Sequence, residues 1–201
     1  METVKQIPYG VADFESVINQ KMYYVDKTMY LAELEKQPRT LIFIRPRRFG
    51  KSLFISMMRA YYDKSKADRF DKLFGSLWVG SHPTPLRNHY QVLYLDFSRI
   101  GGNIDVLEKE FDSYCCIQLN DFIDTYRNDY PKEMVDEFLR AENATRKLNI
   151  LLNMSRKYDQ PLYLIIDEYD NFTNVVLSEH GEAIYHNMTH AAGFYREVFK
   201  K

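Results

Sequence analysis

Apolar residues fall along this chain in two patterns. Three continuous runs stand out: Thr40-Leu41-Ile42-Phe43-Ile44, Val92-Leu93-Tyr94-Leu95 (extending to Ser98) and Leu162-Tyr163-Leu164-Ile165-Ile166. Such runs predict strands buried on both faces of a parallel sheet. A shorter one, Met22-Tyr23-Tyr24-Val25, predicts a further strand closed by Asp26-Lys27-Thr28. Between the runs, apolar residues recur at steps of three and four, the period of a helix with one buried face. This predicts a helix over 11–20 with Phe14, Val17 and Ile18 inward, and another over 28–36 capped by Asp26 or Thr28. A third starts at Lys51, its Leu53, Met57, Ala60 and Tyr61 facing the sheet. A long helix runs from Ile104 through Phe111 and Cys115 to Tyr126. One more opens at Pro131 and carries Met134, Phe138, Ala141, Leu148, Leu151 and Leu152 on one side, and Ile184 to Phe199 predicts a terminal helix.

Strands alternating with helices predict an α/β fold with a mostly parallel sheet covered on both faces. Ligands of such sheets lie beyond the carboxyl ends of the strands, and the chemistry of this chain falls there. After the first run comes Arg45-Pro46-Arg47-Arg48-Phe49-Gly50-Lys51-Ser52, and a helical pattern follows directly. A strand, a turn ending Gly-Lys-Ser and a helix together predict a phosphate-binding loop. Backbone N–H groups and the positive helix end face the anion, Lys51 adds a charge, and the Ser52 hydroxyl can ligate Mg²⁺. The candidate nucleotide-binding residues are Arg45, Arg47, Arg48, Phe49, Gly50, Lys51, Ser52 and Leu53. Arg45 occupies the position where the general pattern has glycine, so the chain must enter the loop differently or contribute the arginine side chain itself. A solvated basic turn that happens to contain Gly-Lys-Ser is the plain alternative.

The third run ends in Asp167-Glu168. An acid at the end of a buried strand helps hold Mg²⁺, mainly through water, so Ser52 and Asp167 are the candidate metal ligands. Glu168 is the candidate catalytic residue, placed to orient or deprotonate the attacking water. A solvated turn or a helix cap would also explain the acid pair. Asp96 and Ser98 end the second run and would line the same crevice, unless they only cap the strand. The expected fold is therefore a P-loop NTPase-type three-layer sandwich, and the expected ligands are ATP and Mg²⁺. With no Asn-Lys-x-Asp element for guanine, adenine is the default base.

Composition narrows the picture further. Of 201 residues, 45 % are hydrophobic, enough for a sizeable core. The net charge of −1 gives no global field toward nucleic acid or membrane. Direct nucleic-acid binding would have to rest on the loop arginines alone, and it is not expected. No apolar stretch approaches the ~20 residues of a membrane span. No leader is visible, and the adjacent Cys115 and Cys116 read as core or boundary residues, which points to a cytoplasmic protein.

The chain resembles the bacterial AAA-ATPase-like family, whose members often carry a C-terminal nuclease-like domain of the PD-(D/E)XK type. The resemblance lies in Ile7-Pro8-Tyr9-Gly10 with Asp13-Phe14, in Tyr24-Val25-Asp26-Lys27-Thr28, and in the loop from Arg45 to Leu53. Leu95-Asp96-Phe97-Ser98 and Ile166-Asp167-Glu168-Tyr169-Asp170 complete it. It implies ATP binding and hydrolysis, with Arg45 as a trait of the family. Residues 1–38 then form a family-specific segment packed on the core, and 39–201 an ATPase-like domain. That domain is expected to be incomplete at its C-terminus: after Glu168 no sensor strand, arginine-finger region or nuclease-like domain follows. The strands of the loop and of Asp167 would then pair directly, leave a gap, or recruit residues 22–25. Slow or absent turnover is the expectation. An arginine finger contributes about 10³–10⁵-fold, against roughly 10²–10⁴-fold for general-base assistance. The rival reading is a non-catalytic, nucleotide-responsive interaction module acting on a protein partner or a second copy of itself.

Overall fold

The computed structural model describes residues 4–44, 46, 49–100 and 104–169. The chain divides into two compact units, Met1–Val92 and Leu93–Lys201.

The first unit is helical: α1 (Phe14–Asn19), α2 (Tyr30–Leu34), α3 (Lys51–Tyr62), α4 (Phe70–Phe74) and α5 (Trp78–Ser81). Asp13 starts α1 by accepting the Ser16 N–H at 2.7 Å. Its other carboxylate oxygen accepts from the Ser56 hydroxyl, which in turn accepts the Phe14 N–H at 2.9 Å, so α1 is tied to α3. Partial burial pushes the Asp13 carboxyl up, but the hydrogen bonds from Ser16 and Ser56 and the charge of Lys66 outweigh it, leaving it below the usual value. The apolar face of α3 buries Met57, Ala60, Tyr61 and Tyr62. Its partners within this unit are α1 and α4, where the Tyr61 ring meets Phe74 edge-on at 5.4 Å and Phe14 stacks on Phe74 at 5.0 Å. Glu15 of α1 pairs with Lys66 and with Arg69, closing the same corner.

Asp26 and Thr28 act as a latch. Asp26 accepts from the N–H and hydroxyl of Thr28 and, on its second oxygen, from the Trp78 N–H at 2.7 Å. The fully buried Thr28 hydroxyl accepts the Val79 N–H. Two first-turn donors of α5 are thereby satisfied. The expected capping role of these residues is met mainly on α5, not on the helix that follows them in sequence, since α2 has no side-chain cap.

The second unit holds most of β1 (Gln91–Asp96), from Leu93 on, and β2 (Leu162–Asp167), paired in parallel, with α6 (Ile104–Thr125), α7 (Lys132–Arg140) and α8 (Ala144–Lys157). Its core joins Leu93, Leu95 and Phe97 to Leu107, Phe111 and Cys115 of α6 and to Phe138 and Leu151 of α7 and α8. The helix expected from Pro131 onward is two helices. Ala141 turns extended, Asn143 accepts the Arg146 N–H, and Asp112 accepts the Ala144 N–H, which together start α8 afresh. Lys147 is buried where the helical pattern gives no sign of it. Its ammonium donates to the carbonyls of Phe138 (3.0 Å) and Leu139 (3.3 Å) at the end of α7, 4.8 Å from the centre of the Phe138 ring. It thus supplies carbonyls that the helix itself leaves unpaired. Cys115 is buried and Cys116 half-buried, both unbridged; burial pushes their thiols up to about 12 and about 11.

The sheet departs from expectation. Residues 41–44 belong to no strand, and Leu41, Ile42, Phe43 and Ile44 are 43, 73, 43 and 80 % exposed. Residues 22–25 also form no strand, although the Tyr23 N–H donates to the Gln6 carbonyl. Among the described residues the sheet is β1 and β2 alone. The α/β class stands, and a three-layer sandwich does not emerge. A strand needs a neighbour for its N–H and C=O groups, and an apolar run by itself does not provide one. The terminal helix expected over 184–199 lies outside the described residues.

Candidate functional site

The residues singled out by sequence lie in both units. In the first, Gly50 is the N-cap of α3 with φ +77 and ψ 25, a left-handed conformation that glycine adopts without strain. Among the described residues, chain neighbours aside, no atom lies within 4 Å of where a Cβ would stand, so backbone conformation, not crowding, calls for glycine here. Its carbonyl accepts the Phe54 N–H at 3.0 Å, the first bond of the helix. Lys51, Ser52 and Leu53, each half-buried, form the first turn. Because a glycine cap has no side chain to cover the helix end, the amides of this turn and the positive pole of a 12-residue helix meet what lies before it. Arg45, Arg47 and Arg48 lie outside the described residues.

Beside this helix end is a cleft of about 280 Å³. Gly50, Phe49, Phe43, Phe54, Tyr30 and Lys27 line it. Phe43 stacks on Phe54, with ring centres 5.7 Å apart. Lys27 lies between the two latch residues Asp26 and Thr28, so its backbone is held on both sides while its side chain lines the cleft. Glu33 and Gln37, one turn apart, add polar groups, and Glu33 also pairs with Lys36 at 2.8 Å. The sequence pattern did not reveal this cleft. Its only trace was the close spacing of Phe43, Phe49 and Phe54 around the loop.

In the second unit Asp167 ends β2 and is 5 % exposed. Its carboxylate accepts the Glu168 N–H at 2.9 Å and is 3.4 Å from the Tyr94 hydroxyl of β1. Glu168 has φ +50, a conformation uncommon for a non-glycine residue. Parallel pairing brings Asp96 to the same end of the sheet, but its side chain accepts the Ser98 N–H at 3.0 Å, the strand-end capping alternative. Among the described residues, no three His, Cys, Asp or Glu side chains gather as a metal site.

Residues 8–201 match the family model described as Predicted AAA-ATPase. The chain belongs to the AAA-ATPase-like family. A further relative, an uncharacterized protein in the vnfD 5' region of Azotobacter chroococcum mcd 1, is 40 % identical over 88 residues. That alignment takes in 39 % of this chain and only 16 % of the relative. No solved structure matches. Membership of the AAA-ATPase-like family ties the chain, at a coarse level, to nucleotide use. Among the described residues, no helix is long and apolar enough to cross a membrane.

Proposed function

We propose that this AAA-ATPase-like chain binds ATP at the loop ending Gly50-Lys51-Ser52 and hydrolyses it slowly with Mg²⁺. The observation that carries the reading is the left-handed Gly50 opening α3 with Lys51 and Ser52 in its first turn. A glycine that opens a helix with a lysine and a serine in its first turn is an arrangement suited to an anion, and it supports this reading. In this reading Lys51 neutralises charge on the terminal phosphates, and the arginines at 45, 47 and 48 make the loop cationic. Phe49 and Leu53 complete the span that wraps the phosphates. The donor set fits Mg²⁺, which takes one or two protein oxygens and keeps waters and phosphate oxygens for the rest. The Ser52 hydroxyl is one such oxygen, and the sequence pattern proposes Asp167 and Glu168 of the second unit as the acids for the metal and for the attacking water. Turnover is slow because rate enhancement depends on donors held in place beforehand, whereas the run leading into the loop is exposed and in no strand.

The test is calorimetric titration of the full chain with Mg-ATP. Wild type binds, and Lys51→Ala weakens binding at least about tenfold, since charge-assisted hydrogen bonds to a phosphate are the strong ones. Equal affinity in the two proteins removes the loop from the assignment. A second reading, a nucleotide-responsive interaction module, is favoured by the exposure of Leu41 to Ile44 beside the loop. Phosphate release that depends on Glu168 separates the enzyme from the module.

A further inference from the structure

We infer that the cleft between α2 and the start of α3 receives a purine nucleoside, the part of the ligand beyond the phosphates. The inference rests on the phosphate assignment above and adds where the rest of the molecule goes. Gly50 is at once the cap of α3 and a wall of the cleft, and Phe49 before it lines the same space. A ligand whose phosphates meet the amides of the α3 first turn therefore has its next atoms at the mouth of this cleft. The walls suit a flat aromatic ring. Tyr30, Phe43 and Phe49 are 56, 43 and 60 % exposed, unusual for aromatic side chains gathered around one concavity. The Phe43–Phe54 stack already presents a ring face. At about 280 Å³ the cleft is near the lower limit for small-molecule sites, a size that suits a nucleoside.

The polar groups are few, as in sites where apolar walls bind and a small number of donors and acceptors orient. The Glu33 carboxylate accepts from an exocyclic amino group and the Gln37 amide serves a ring nitrogen. Lys27, with no carboxylate partner among the described residues, also lines the cleft and serves as a cation for the ribose-phosphate end. The Asp26–Thr28 latch gives this lysine its place. The motif Asp26-Lys27-Thr28 thus divides into two residues that hold α5 and one that faces ligand.

The experiment titrates full-length wild type, Tyr30→Ala, Phe49→Ala and Lys51→Ala with ATP, UTP and inorganic tripolyphosphate, each with Mg²⁺. Tyr30 and Phe49 are exposed, so truncating them leaves the core intact, and circular dichroism verifies this. Stacking on an aromatic side chain is commonly worth about 5- to 150-fold in affinity. Tyr30→Ala should weaken ATP binding within that range while tripolyphosphate affinity stays unchanged; Phe49→Ala, at a residue shared with the phosphate span, should weaken ATP binding at least as much. Lys51→Ala should weaken both, and wild type should prefer ATP to UTP. If tripolyphosphate and ATP bind wild type equally, or neither aromatic variant changes ATP affinity, the cleft assignment is overturned while the phosphate site survives. UTP binding as tightly as ATP overturns the purine assignment. If wild type binds neither ATP nor tripolyphosphate, the phosphate site fails and the cleft assignment fails with it.

Discussion

Two apolar runs in this chain look alike in sequence and behave differently in the fold. Leu162 to Ile166 becomes β2, pairs with β1 and places Ile165 and Asp167 inside. Leu41 to Ile44 has the same make-up, precedes an equally informative motif, and is exposed and in no strand. The difference lies in what surrounds each. The second unit has a core built from α6, α7 and α8 onto which β2 packs. In the first unit the buried face of α3 is taken up by α1 and α4, with α1 held by the Asp13–Ser56 hydrogen bond. An apolar run shows that a segment gains from burial. A partner must still be available to bury it.

The sharpest way to break the comparison is at the acidic end of β2. Glu168→Gln should lower phosphate release by about 10²–10⁴-fold, the usual contribution of a positioned base, with ATP affinity unchanged by calorimetry. An unaltered rate would leave the ordered end of the sheet without a catalytic part.

Next comes a pair of isoleucines. Ile165→Ala, at a buried position, should cost about 2–5 kcal/mol in urea unfolding. Ile42→Ala, at an exposed one, should stay within about 0.5 kcal/mol. Repeating both with saturating ATP sharpens the contrast. If ligand draws residues 41–44 into a buried strand, the cost of Ile42→Ala rises, and an unchanged value shows that the run stays exposed when nucleotide binds.

Gly50→Ala tests the cap of α3. A side chain at φ +77 costs about 1–2 kcal/mol, and because the strain is at the phosphate end, ATP affinity should fall with stability. A stability unchanged within error would mean that Gly50 can leave the left-handed region freely.

The smallest effect concerns the polar fastening of the first unit. The folded Asp13 carboxyl is held below its ordinary value of 3.8, so its stabilising contribution is present at neutral pH. That contribution is lost as pH falls through the folded value. Asp13→Asn should flatten this part of the acid-unfolding curve, whereas an identical acid limb in both proteins would remove Asp13 from the fastening.

How much of this was legible beforehand differs residue by residue. The span of α6, the strand ending at Asp167 and the helix opening at Lys51 were visible because period and punctuation are local. The break before Ala144 was not, because Asp112, 32 positions earlier, supplies half of the cap. Lys147 was missed because a lysine at a helical position reads as solvated until the carbonyls of Phe138 and Leu139 are seen to receive it. The cleft was missed for a related reason. Its walls come from three separate stretches, each with an ordinary aromatic or polar pattern.

The amino-acid order alone placed the Gly-Lys-Ser turn at the start of α3, the acid pair at the end of β2 and the span of α6, since these depend on neighbours in the chain. The left-handed start of α3 suits the glycine found there. Tertiary structure decided which apolar runs became strands, what Asp26 and Thr28 capped, and where Tyr30, Phe43 and Phe49 meet around one hollow. Those outcomes turn on hydrogen-bond and packing partners distant in sequence, and a linear pattern records only that a partner is needed.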